Sequence, residues 1–180
     1  MGKSSKRMAL CGMMTALAIV IMLMGGMIPL ATFCCPVLAS LALIPPLLEY
    51  GKKWMLMAYA AVAVLGLMLS PDKEAALLFA FLGYYPALKP ALDRIRRQPL
   101  RIIAKLGIFN LAAGAMMLCI AFVLRMDMIV AEYAAMGMIG GAVFLILANI
   151  TMLLYDRMLV IMAVVYLKKM RPALMGGKGR

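Results

Sequence analysis

Asn110 and Asn149 are the most polar side chains set deep in otherwise apolar runs of this chain. An amide in such a place either hydrogen-bonds a neighbouring helix or contacts a ligand, because an unpaired amide in hydrocarbon is costly. The carboxylates are seven: Glu49, Asp72, Glu74, Asp93, Asp127, Glu132 and Asp156. Proton and ion paths place such groups in mid-membrane, whereas these seven fall near the ends of apolar runs. There is no histidine, no Ser/His/Asp set and no pair of acids within one run. Nucleophilic and acid–base catalysis therefore find no machinery, and the chain reads as a non-enzyme without a cofactor. Cys11, Cys34, Cys35 and Cys119 lack CxxC spacing, which argues against a zinc site. The 21 methionines could suggest Cu(I). They are scattered over all the apolar runs, as expected of side chains that fill irregular gaps.

Four further groups of residues carry binding chemistry. A solute captured from outside would meet Thr32, Asp72, Glu74, Asp127, Glu132 and Tyr133. Of these, Glu132 and Tyr133 directly precede a glycine-rich helix start and join Asn110 and Asn149 as candidate ligand contacts. Gly12 with Ala16, and Gly137 with Gly141, form small-xxx-small pairs that let helix backbones approach, within the chain or at a partner's surface. Trp54 and the Tyr84–Tyr85–Pro86 segment suit an aromatic belt at the membrane surface. Glu49 is expected to pair with a nearby lysine or arginine, such as Lys52 or Lys53.

These residues need elements to hold them, and composition says which. Of 180 residues 67% are hydrophobic and 14% are charged. A soluble fold of this size has too little interior for so many apolar side chains, so the bilayer is the expected solvent. At about 20 residues per crossing the length allows about six spans. They are expected at about Met8–Ile28, Ala31–Leu48, Trp54–Leu69, Ser70–Leu88, Leu100–Leu124 and within Met128–Tyr155. In the fourth, Ser70 can cap the helix, with Pro71 in its first turn and Asp72 and Glu74 at its positive end. Lys3, Lys6 and Arg7 before the first run resemble a signal peptide, but the run is too long for one, and the segment is taken as a retained helix.

Asp156 and Arg157 interrupt the last apolar run. Burying them would cost about 2.5–3.5 kcal/mol each. The expectation is therefore a six-helix transmembrane domain over 1–155, an interfacial amphipathic helix over 156–171 and a disordered basic tail over 172–180. The net charge of +12 fits helix ends facing anionic lipid better than it fits nucleic acid. With the N-terminus inside, the inner segments hold 17 lysines and arginines, and the outer loops hold Lys73 and Arg125. This positive-inside bias predicts cytoplasmic termini. It also predicts that the second run crosses in spite of Pro36, Pro45 and Pro46, since a re-entrant segment would put the later basic groups outside.

Six short-looped helices, both ends inside, and a basic N-terminus leading into the small-residue face Gly12–Ala16 resemble the substrate-binding S component of energy-coupling factor transporters. In that family an AxxxA pattern on the first helix contacts a shared transmembrane subunit, and Gly12 and Ala16 are its nearest match here. The loop between the first two helices gates an outward-facing vitamin or metal site in that family. Here the corresponding Pro29–Pro36 segment is short and hardly polar, and the N-terminal histidine of metal-binding members is absent. The segment Phe81–Lys89 also resembles uncharacterised small membrane proteins of Gram-positive bacteria.

The expected function is that of a solute-binding subunit in the cell membrane. It would take up a small, largely apolar or aromatic solute with a coupling subunit and an ATPase pair, as it has no P-loop of its own. The rival expectation is a membrane scaffold or assembly factor that packs through Gly137 and Gly141.

Overall fold

The computed structural model describes residues 3–25, 31–123, 131 and 133–171. Among these the chain is all-helical. Six stretches are long and apolar enough to cross a membrane: Arg7–Gly25, Thr32–Tyr50, Lys52–Leu69, Lys73–Leu92, Gln98–Phe122 and Gly137–Met170. The chain is thus a multi-pass membrane protein. Its helices fall into two compact units, one of residues up to Lys89 with those from Asp156 onward, the other Pro90–Tyr155.

The first unit opens with α1 (Lys3–Gly25). Its buried positions Cys11, Met14, Ala18, Met22 and Gly25 recur at helical spacing and form one packed face. The second span is two helices, α2 (Ala31–Leu41) and α3 (Ile44–Tyr50). Pro45 and Pro46 carry no N–H, so a continuous helix would leave the carbonyls of Leu41 and Ala42 without donors. The chain turns there, with Leu43 N donating to Ser40 O at 3.1 Å, and the prolines enter the first turn of α3, where a missing N–H costs nothing. Gly51, at φ +86°, then reverses the chain into α4 (Lys52–Leu69), a conformation that favours glycine.

The fourth span is likewise broken, into α5 (Lys73–Leu82) and α6 (Tyr85–Leu92). Asp72, not Ser70, is the N-cap of α5, and its Oδ1 accepts from Ala75 N at 3.0 Å. Ser70 instead closes α4 and donates to Asp72 O at 3.0 Å. The core of this unit alternates alanines (Ala18, Ala39, Ala58, Ala75, Ala76) with Met22, Leu43, Met55 and Phe79. Apolar attraction between helices is weak in lipid, so close approach over small residues supplies the packing.

The second unit contains α7 (Gln98–Leu118), continued by a π-helical turn over Cys119–Val123, and the first part of α8 (Gly137–Val165). Along α7, Lys105, Phe109, Ala112, Met116 and Ile120 are buried, again at helical spacing. A second π-helical turn, Tyr166–Met170, extends α8. The expected break before Asp156 is therefore absent as a break in the helix. The expected tail over 172–180 lies outside the described residues, as do Asp127, Glu132 and Arg125.

Candidate functional site

Asn110 and Asn149 do meet. Asn110 Nδ2 donates to Asn149 Oδ1 at 2.8 Å, and Asn149 Nδ2 returns a bond to Asn110 Oδ1 at 3.3 Å. Each amide also donates backward along its own helix, to Leu106 O at 2.8 Å and Leu145 O at 2.7 Å. An asparagine amide has two N–H donors, so both residues have their donors engaged within the protein. What is left to a ligand is acceptor capacity on the two amide oxygens.

The most concentrated chemistry lies in a cluster that sequence reasoning missed. In the first unit, Asp156 Oδ1 accepts from Tyr85 Oη at 2.7 Å and forms an ion pair with Lys89 Nζ. The two charged side chains are only 11% and 15% exposed. This pairing answers the cost that predicted a helix break: Asp156 continues α8 because a cation and a phenol replace its lost hydration. It also corrects the aromatic-belt reading of Tyr85, which is buried and hydrogen-bonded. Tyr84 packs edge-on to Tyr59, whose hydroxyl donates to Ala80 O. The signal was present in the sequence as a lysine and an acid at the margins of apolar runs. Their separation of 67 residues hid the partnership.

A second ionic contact ties the same unit. Arg171 Nε lies 2.8 Å from Glu49 Oε1, so Glu49 pairs with Arg171 and not with the exposed Lys52 or Lys53. Tyr166 is buried close by, its hydroxyl without a hydrogen-bond partner among the described residues. The guanidinium of Arg7 stands 5.7 Å over the Tyr50 ring, a cation–π contact, and Tyr50 meets Trp54 edge-on at 6.5 Å.

A third contact joins two span starts in this unit. Thr32 Oγ1 donates to Asp72 Oδ2 at 2.7 Å, which sets the starts of the second and fourth spans at one level. Glu49 follows Thr32 by 17 residues, and Lys89 follows Asp72 by 17. Both lie toward the ends of their spans away from Thr32 and Asp72.

The remaining predicted site residues are described each within its own unit. Tyr133 packs edge-on against Phe144 at 5.4 Å, and Glu132 lies outside the described residues. Gly12 and Ala16 are exposed on the side of α1 away from its packed face, and nothing stands within 4 Å of a Cβ built on Gly12. Gly137 and Gly141 are exposed too, with nothing within 4 Å of either among the described residues. Gly137 has φ +64°, so it serves the turn into α8. Thr32 and Asp72 are hydrogen-bonded to each other, and Asp72 also caps α5. In the second unit Lys105 reaches back 2.6 Å to Asp93. Among the described residues no group of three or more His, Cys, Asp or Glu side chains is placed to hold a metal ion, and the four cysteines are unbridged. Comparison of the chain with protein-family models, with curated proteins and with solved structures finds no match.

Proposed function

We propose that the chain is a membrane-embedded binding subunit that works with a larger partner, in the manner of the solute-binding subunit of an energy-coupling factor importer. The reading places it in the cell membrane with both termini in the cytoplasm, as the positive-inside bias favours. The observation that carries the proposal is the division of α1 into two faces. Cys11, Met14, Ala18 and Met22 hold it to its own unit, while Gly12 and Ala16 present an open surface of small residues to the membrane. Small residues at a lipid-facing position offer a second helix close backbone approach. In this reading the partner supplies the ATPase pair, and the solute is small and largely apolar, with acceptor oxygens of Asn110 and Asn149 available to it.

The test is purification of the tagged chain from its native membrane in mild detergent, with identification of what accompanies it. The expected outcome is an ATPase pair and a larger membrane subunit, lost on Gly12→Leu while the protein remains folded. Association that survives Gly12→Leu removes α1 from the interface. A second reading, a scaffold without a solute, is favoured by the full use of the amide donors at Asn110 and Asn149. It predicts recovery of envelope proteins without a retained small molecule.

A further inference from the structure

The face of α7 opposite its buried residues bears an exposed stripe, Leu100, Ile103, Gly107, Leu111, continuing through Gly114 to Leu118. Ile103 is 65% and Leu111 77% exposed. At Gly107 the stripe has a notch, since nothing lies within 4 Å of a Cβ built there. The loop before α7 is folded, with Arg94 N bonded to Ala91 O and Ile95 N to Leu92 O, and it exposes Arg94, Arg96 and Arg97. Arg97 is the N-cap of α7 and Arg96 directly precedes it, so both stand at the end of the helix from which the stripe starts. The nearby acid, Asp93, is engaged by Lys105.

We propose that this surface seats an anionic phospholipid, its phosphate on Arg94, Arg96 and Arg97 and one acyl chain along the stripe. Charge and length both favour a lipid. Three guanidinium groups beside a membrane span complement an anionic headgroup. From Leu100 to Leu111 the helix rises about 16 Å, close to the ~15 Å of hydrocarbon in one leaflet. A soluble phosphate would use the arginines and leave the stripe without a purpose.

The experiment is native mass spectrometry of the full-length protein in mild detergent, with equimolar phosphatidylglycerol and phosphatidylcholine of identical acyl chains. The expected result is preferential retention of phosphatidylglycerol. Replacing the three arginines together by glutamine should weaken that preference by roughly a hundredfold, at about one kcal/mol per charge near a membrane surface. The corresponding triple lysine variant should keep most of it, which separates charge from misfolding. Gly107→Phe, which fills the notch and leaves the charges, should lower retention as well. Equal retention of the two lipids, or an unchanged preference in the triple glutamine variant, would overturn the proposal. So would displacement of the lipid by inorganic phosphate, which would mark a site for soluble anions. A protein dimer abolished by Gly107→Phe would assign the stripe to a second copy instead.

Discussion

The Lys89–Asp156 pair shows how little a single residue says without its partner. In an apolar setting either charge alone is expensive, while the pair with a phenol on the carboxylate is tolerated. Asp156→Ala should therefore destabilise the protein by about 3–5 kcal/mol, because it leaves Lys89 buried and uncompensated. The exchange Lys89→Asp with Asp156→Lys should recover much of the loss, and Lys89→Met with Asp156→Leu should lie close to wild type. Thermal unfolding in detergent reads all three, and a wild-type melting temperature for Asp156→Ala would dismiss the pair as a contributor. The Asn110–Asn149 pair calls for a gentler expectation. Interhelical hydrogen bonds in membranes average about 0.6 kcal/mol, so Asn110→Leu with Asn149→Leu should unfold within a few degrees of wild type. If solute retention is nevertheless lost in that double variant, the amides touch solute. If retention persists, their task is to join α7 and α8.

Among the elements, α5 and α6 show where backbone chemistry dictates a break. Pro86 removes a donor, and Gly83 occupies a place with no room for more: a Cβ there would stand 2.6 Å from Phe79 O and 3.0 Å from the Phe79 ring. Gly83→Ala should cost about 1–3 kcal/mol through the shift it forces, read as a lower melting temperature. Gly12→Ala, where the same test finds open space, serves as the control that should cost little. Spans of this kind are legible from sequence because a 20-residue apolar run has few alternatives in lipid. The second span was legible as well, since Thr32–Tyr50 is long and apolar enough to cross despite its three prolines. What was not legible needed distant partners. Glu49 had two lysines within four residues, yet it pairs with Arg171. Gly137 and Gly141 matched a packing motif, yet the φ of +64° at Gly137 marks a turn that spacing cannot reveal. The start of α5 turned on a local competition, in which Asp72 took the cap that Ser70 could have supplied because Ser70 lies two residues before it and closes α4.

At the scale of the whole molecule, the orientation of the spans has a direct test, because the chain carries its own reporter. Cys34 is exposed near the start of the second span, two residues beyond Thr32, whose bond to Asp72 marks one level of the first unit. Glu49 and Lys89 stand at the other end, as do the exposed lysines Lys52 and Lys53. The charge asymmetry puts that lysine-bearing end in the cytoplasm, so Cys34 should lie at the outer surface. Cys11 and Cys35 are buried and Cys119 is partly so, which leaves Cys34 the most accessible thiol. A membrane-impermeant maleimide should label the wild-type protein in intact cells and lose that labelling on Cys34→Ser. Arg96→Cys, added to the Cys34→Ser protein, should react only after the membrane is permeabilised. The reverse pattern would invert the molecule. It would also place the Arg94–Arg97 loop outside, away from the ATPase pair that an importer of this class would engage on the cytoplasmic side. Labelling at both positions in intact cells would mean mixed insertion. In that case 17 basic residues on one side would have failed to orient the chain, against the preference that such a bias ordinarily imposes.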